Sequence, residues 1–198
     1  MTLHRLGLLS VAALALAACS TPDTATRNMP LDLPVLQAAD GSVIARNYAL
    51  AGLEMSVPAD LRISESNGYY PFVDIVWRGD PIGDRREQIA SMFYEAAQRN
   101  VEAPQEGQRP VIAEVTLRRF HGVTERTHYS IGGVYSIRFD LTVRDAMTGE
   151  VVEPARTVTA DLPAPGGQAA VELERAGQTE RVRVTDFLAW TLRQQLEL

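Results

Sequence analysis

The chain has 198 residues, with 19 basic and 25 acidic side chains and a net charge of −6 when the histidines are neutral. That balance argues against sequence-independent nucleic-acid binding, which depends on neutralising phosphates, and against attraction to anionic lipid headgroups. Every basic residue is Arg and there is one Cys, so lysine Schiff-base and Walker-type phosphate chemistry are excluded, as is an intramolecular disulfide.

The chain opens with His4 and Arg5, followed by an apolar run from Leu6 to Ala18 interrupted only by Gly7 and Ser10. Such a run spans ~20 Å as a helix at 1.5 Å per residue, short of the ~30 Å hydrocarbon core, and fits the apolar region of a cleavable export signal. Residues 1–18 therefore read as a signal peptide. Leu16-Ala17-Ala18-Cys19 resembles the lipobox of bacterial lipoproteins. That resemblance implies cleavage before Cys19, diacylglycerol on its sulfur and a further acyl chain such as palmitate on the new N-terminus. One acyl chain gives marginal membrane binding, and two or three give a stable anchor. Ser20, with no Asp in that position, favours outer-membrane retention by resemblance to the enteric sorting rule, facing the periplasm, with the inner membrane as the alternative. Removing the signal takes away one Arg and no acid, leaving −7.

Residues 19–34 read as a lipidated tether, small and polar through Ser20–Thr26, with too few apolar groups to order themselves. Residues 35–198 read as one domain, beginning between Val35 and Ala49. Leu53, Met55 and Val57 alternate with polar residues, the period of a half-buried strand ended by Pro58. A second strand is expected near Phe72–Trp77. Asp84 and Glu87 have capping-box spacing, and Ile89, Met92, Phe93 and Ala96 form the apolar stripe of a helix stopping near Asn100. Val111–Arg118, Tyr135–Arg144 and Val151–Leu162 predict three further strands, with charges on their polar faces placed to pair across antiparallel neighbours. Residues 168–178 suit either a short helix or a loop. A final helix runs from about Glu180 to Leu196, with Val184, Phe187, Leu188, Thr191, Leu192 and Leu196 in one stripe. The expected fold is α+β: a two-layer domain of mostly antiparallel sheet and two amphipathic helices, in the order β-β-α-β-β-β-α.

The chain carries no Gly-x-Ser-x-Gly, His-Glu-x-x-His, P-loop or Rossmann glycine pattern. Beyond His4 only His121 and His128 remain, seven positions apart and without metal-ligand spacing. No metal or other cofactor and no catalytic residue is expected. Asp74, inside an apolar strand, is expected to pair with an Arg. Arg78-Gly79-Asp80 matches an adhesion tripeptide but reads as an ordinary turn. The candidate partner-binding residues are Tyr69 and Tyr70, clustered with Phe72, and Tyr129, in the segment 122–133 expected to project as a flexible hairpin tip.

Pro110–Val115, Val134–Val143 and the Asp145–Val152 turn, followed by a terminal helix, loosely resemble the auxiliary lipoproteins of ABC-type transport systems and uncharacterised lipoprotein families. The resemblance covers residues 110–198 and implies no functional residue. The expectation is a non-enzymatic, lipid-anchored accessory module that binds an envelope protein in transport or assembly. One alternative is a lipid or small-ligand carrier with a cleft lined by Trp77, Phe93 and Trp190. A further alternative is a hydrolase in which His121 or His128 meets Asp74 or a serine.

Overall fold

The computed structural model describes residues 46–198. Residues 1–45, with the signal-peptide, Cys19 lipidation and tether readings made on them, lie outside the described residues. The order is β1 (Tyr48–Ser56), β2 (Ile75–Val76), α1 (Arg85–Gln98), β3 (Arg109–His121), α2 (Glu125–His128), β4 (Gly133–Asp145), β5 (Val151–Ala164), α3 (Gln168–Arg175) and α4 (Glu180–Leu196). The domain is α+β, a five-stranded, mostly antiparallel mixed sheet with four helices.

Alternation produces the sheet. Val111, Ala113, Val115 and Leu117 of β3, and Tyr135, Ile137, Phe139, Leu141 and Val143 of β4, are buried on one face. Side chains two apart share a face, so these two rows form a continuous apolar surface. Helices α1 and α4 cover it. Ile89, Met92 and Phe93 of α1 and Val184, Leu188, Leu192 and Leu196 of α4 are buried there, and Phe93 meets Phe139 edge-on at 5.4 Å. Asp84 caps α1, accepting from the Arg86 and Glu87 amides at 2.8 and 3.3 Å. On the opposite face the charges pair across strands, as expected: Arg118 with Asp140, and Arg144 with Glu114 at 2.6 Å.

Strands β3, β4 and β5 are antiparallel neighbours, but β1 and β2 both run parallel to β3. β1 pairs with residues 109–116 and β2 with residues 120–121, on the edge of β3 that β4 leaves open. They are two pieces of one edge strand, and residues 57–74 leave the sheet between them. This shortens the second strand from the expected Phe72–Trp77 to two residues. The Asp74 and Ile75 amides both donate to Arg62 O, at 3.1 and 2.9 Å, so the excursion bonds to itself.

Two further helices appear where the alternation pattern is silent. α3 resolves the ambiguous segment after Gly167. α2 lies inside the expected hairpin tip, and this segment does not project: Thr124, Thr127 and His128 are buried. Their hydroxyl and imidazole groups find partners on neighbouring segments, which folds the connection back against the domain. No helix among the described residues is long and apolar enough to cross a membrane.

Candidate functional site

Helix α2 is one turn long, too short to be stable alone, and its neighbours hold it. Thr124 caps it by accepting from the Thr127 amide at 3.3 Å. Three bonds tie it to the 57–74 excursion: Thr124 Oγ1 donates to Gly68 O at 2.8 Å, Thr127 Oγ1 to Tyr69 O at 2.9 Å, and the Arg126 amide to Asn67 Oδ1 at 2.8 Å. The Arg126 guanidinium lies 4.4 Å from the centroid of the Tyr69 ring, a cation–π contact. From α2 the chain closes on the loop before α3. Gly132 N donates to Thr127 O and Gly167 N to His128 O, both at 2.8 Å. There is a cleft on each side of α2.

The first cleft, about 380 Å³, is polar and includes Arg78, Glu125, His128, Tyr129, Glu174 and Glu180 in its wall. His128 Nε2 is 3.0 Å from Glu174 Oε1 and its Nδ1 is 3.2 Å from Glu180 Oε1. Tyr135 donates its hydroxyl to Glu180 Oε1, and Tyr129 donates to Glu174 Oε1 at 3.3 Å. Burial pushes the Glu180 carboxyl up, against the opposing Tyr135 hydrogen bond. Burial, reinforced by the Glu180 charge, holds Tyr135 protonated as a donor. The two carboxylates approach opposite nitrogens of one ring, but only the Nε2–Glu174 contact has hydrogen-bond geometry, and Nδ1 is left without a hydrogen-bond partner.

The second cleft, about 490 Å³, has mainly apolar walls, among them Tyr69, Tyr70, Val123, Ile131 and Val134. Glycines 122, 132 and 133 line it as well, bringing backbone to its surface. Tyr70 is 58% exposed, Phe72 86% and Ile131 75%, so much of this apolar surface faces water. Tyr70 packs against His121 at 4.5 Å between ring centroids and edge-on to Phe72 at 5.7 Å. Its hydroxyl accepts from Arg119 Nη2 at 2.9 Å. His121 Nε2 donates to Pro71 O at 2.8 Å, and burial lowers the pKa of the ring, consistent with a neutral donor.

His121, Ser136 and Asp161 line this cleft together. Ser136 stands opposite His121 on β3 and opposite Asp161 on β5. A Ser-His-Asp relay places the imidazole between hydroxyl and carboxylate. Here the serine is in the middle, and the carboxylate lies two strand spacings, ~10 Å, from the histidine strand. The three do not form that relay. Asp74 joins neither histidine; its Oδ2 accepts from the Arg62 amide at 2.9 Å and lies 3.5 Å from Arg62 Nε, the expected pairing with an Arg.

Of the candidate partner-binding residues, the structure brings Tyr69 and Tyr70 to one cleft and places Tyr129 on the other. His121 and His128 are likewise divided between the two. The proposed carrier lining does not assemble: Trp77 and Phe93 are fully buried in the core, while Trp190 is half-exposed and stacked on Phe187. Arg78-Gly79-Asp80 is an inward-facing turn. Asp80 Oδ2 accepts from Trp77 Nε1 and Arg181 Nη1, both at 2.7 Å. Glu174, Glu180, Ile131 and Val134 were not singled out from the sequence. Glu180 carries no local mark of burial, because Tyr135 and His128 reach it from distant segments.

No curated protein matches the chain. Solved structures similar to it include a Xanthomonas campestris protein of family DUF330, 16% identical over 76% of this chain and 89% of that one, with a TM-score of 0.37. Another is a candidate lipoprotein from Caulobacter crescentus, 13% identical over 73% of this chain and 86% of that one, with a TM-score of 0.33. At these identities and scores they assign no function. Residues 48–198, which include every strand, helix and cleft described above, match the model of a family of unknown function, DUF6778, and the chain belongs to that family.

Proposed function

We propose that this protein is a non-enzymatic lipoprotein of the bacterial envelope, anchored through lipid on Cys19, that binds an envelope protein in transport or assembly through the aromatic second cleft. The anchor reading rests on the layout of residues 1–19, and Ser20 favours the outer membrane. The observation that carries the binding reading is the exposure of Tyr69, Tyr70, Ile131 and Val134 around one cleft, with the exposed Phe72 edge-on to Tyr70 beside it. Rigid aromatic rings contribute large contact area at low entropic cost, and such residues dominate interface energetics. Hydrogen bonds from α2 hold the backbone of this shelf before any partner arrives, so little ordering cost remains to be met on binding.

The test is in-cell crosslinking of the full-length protein in a Gram-negative host, beside Cys19→Ala and a Tyr70→Ala/Phe72→Ala double variant. The expected result is lipid on the Cys19 peptide by mass spectrometry and a specific partner whose capture falls about tenfold or more in the double variant, the scale of a lost hot spot. Equal capture by the folded double variant refutes the groove, and an unmodified Cys19 refutes the anchor.

A second reading, a small-ligand carrier, is favoured by one observation. The cleft's volume lies within the ~300–1,000 Å³ of small-molecule sites, and its apolar walls carry a few convergent polar groups. Native mass spectrometry of the detergent-purified protein separates the two readings: a co-purifying small molecule lost in the double variant supports the carrier.

A further inference from the structure

A β-strand bonds to its neighbours through alternate residues, so an edge strand turns every second amide and carbonyl away from its sheet. β5 pairs with β4 alone, and among the described residues no strand lies along its other edge. The phase of that edge follows from the end of β4. The Ala146 amide donates to Pro110 O, towards β3, and the Asp145 amide donates to Glu150 O, towards the start of β5. Even-numbered residues of β4 therefore bond to β3 and odd-numbered ones to β5. Tyr135, Ile137, Phe139 and Leu141 stand opposite Leu162, Ala160, Val158 and Arg156, so these β5 residues bond inwards. Thr157, Thr159 and Asp161 between them face outwards, and all three are exposed. Pro163, next in the outward series, has no N–H, and its carbonyl already accepts from Arg183 Nη2 at 2.7 Å. At the other end Leu141 pairs with Arg156 but Val143 with Glu153, so β5 bulges there. The open edge is a short window, closed by a proline on one side and a bulge on the other.

That window is its own complement. Antiparallel pairing about a twofold axis through Thr159 sets Thr159 opposite itself and Thr157 opposite Asp161 of the second copy. Outward residues then meet outward residues, and such pairs exchange both N–H···O bonds, so every free amide and carbonyl of the window finds a partner. Neighbouring registers fail. Centring on Asp161 brings two Asp161 carboxylates face to face and sets Thr159 against Pro163, while centring on Thr157 sets Asp161 against Glu153 across the bulge. Like charges directly opposite destabilise a strand pair, whereas facing threonines favour it. The register through Thr159 opposes no like charges within the window, and on the helix-covered face it sets Val158 against Ala160. We propose that two copies of this chain pair antiparallel through their β5 edges about Thr159, joining their sheets into one.

The pairing bears on the second cleft. Asp161 is part of its lining, and Thr157 of the second copy, directly opposite Asp161, extends that wall. Opposed residues of an antiparallel pair share a face, so the two clefts open on the same side of the joined sheet. Confinement of both copies to one membrane raises the effective concentration of their edges, as a linker does, which suits a short window. The shared wall rests on the groove reading above and the confinement on the anchor reading; the edge pairing rests on neither.

The experiment is disulfide crosslinking of the full-length protein in membranes of a Gram-negative host, with the native chain, whose one cysteine is Cys19, as the blank. Facing residues of a hydrogen-bonded pair have Cα atoms ~5.5 Å apart, within the ~4.4–6.8 Å that a disulfide spans. The two copies of Thr157 are instead offset by the 157-to-161 spacing, ~14 Å, too far to bridge. Thr159→Cys is expected to give a reducible dimer about tenfold or more above the blank. Thr157→Cys alone and Asp161→Cys alone are expected to stay at the blank, and the two coexpressed are expected to restore the dimer. All three positions are exposed, so these substitutions leave the core intact. No dimer from Thr159→Cys, an equal band from Thr157→Cys alone, or a coexpressed pair no better than its members overturns the pairing. Partner capture is scored separately: the expected dimer with capture unaffected by Tyr70→Ala/Phe72→Ala upholds the pairing and refutes the groove, whereas groove-dependent capture without the dimer overturns the pairing alone.

Discussion

Gly166→Ala tests the packing of the loops that wall the second cleft. The φ of Gly166 is not in the left-handed region, so alanine is conformationally acceptable and only space decides the outcome. A methyl there would stand 2.5 Å from the Ile131 carbonyl carbon and 2.6 Å from Gly132 Cα, about 1 Å inside the usual ~3.5–4.0 Å separation. These are backbone atoms, and Gly132 is itself held at φ 70°, so no side chain can swing away. Overpacking costs ~1–3 kcal/mol. Moving the loop also strains the Gly132 N–Thr127 O and Gly167 N–His128 O bonds, each worth ~1 kcal/mol. The sum is ~3–5 kcal/mol, which at ~2–4 °C per kcal/mol for a domain of this size lowers Tm by roughly 6–20 °C. Gly149→Ala is the control. Its φ is 74° with nothing within 4 Å of the added carbon, so it is expected to lose only the ~1–2 kcal/mol of left-handed strain. Thermal melts followed by far-UV circular dichroism on the detergent-purified protein decide it. A Gly166→Ala melt no lower than that of Gly149→Ala would show that the two loops separate freely and refute the reasoning.

Asn100 is buried between the long helices, donating to Ala96 O at 3.2 Å and Ala189 O at 2.8 Å and accepting from Arg193 Nε at 3.2 Å. Asn100→Ala is expected to cost ~1–3 kcal/mol, read as a lower urea midpoint with an unchanged slope. Glu153 is fully buried and meets Arg46 Nε at 2.9 Å and the Tyr48 hydroxyl at 3.0 Å. Glu153→Ala leaves the enclosed Arg46 guanidinium with the half-exposed Glu197 as its remaining carboxylate and is expected to cost ~3 kcal/mol, the low end for a broken buried pair, read by denaturant titration. The Asp145 carboxyl is held at about 2, chiefly by Arg109 Nε at 2.6 Å and then by the Thr148 and Met147 amides. A depressed carboxyl contributes stability that is complete above its unfolded value near ~4 and lost as pH falls through its folded one. Acid titration of stability is therefore expected to be shallower in Asp145→Asn than in the native protein between pH ~4 and about 2, and identical slopes would show that this turn is uncoupled from folding.

Two aromatic pairs show how composition and placement separate. Tyr69 and Tyr70 sit in a run rich in Ser, Asn, Gly and Pro, which cannot build a regular apolar face, and they remain at least half exposed. Trp77 and Phe93 lie in segments whose period points inwards, and they are buried. Trp190 follows the stripe of α4 without belonging to it, and half of it stays in water. An aromatic residue's fate was thus readable where a local period existed, and a proposed lining drawn from three separate elements was not.

What the amino-acid order determined by itself was local. Alternation over 111–118, 135–144 and 151–162 set three strands, and the stripes from Ile89 and from Val184 set the two long helices, because side-chain direction repeats every two residues in a strand and every 3.6 in a helix. The Asp84 cap was equally legible, since its bonds close within three residues. Pairing direction was not: β1 joins β3 in parallel across some fifty intervening residues, and neither strand's own period encodes which neighbour it finds. The one-turn helix α2 has no periodic signal, and its stability comes from bonds to residues 67–69, Gly132 and Gly167. Burial of Glu180 under Tyr135 and the His128–Glu174 hydrogen bond likewise exist only because β4, α2, α3 and α4 meet. A buried charge is tolerated where partners from elsewhere in the chain satisfy it, and tertiary structure alone brings those partners together.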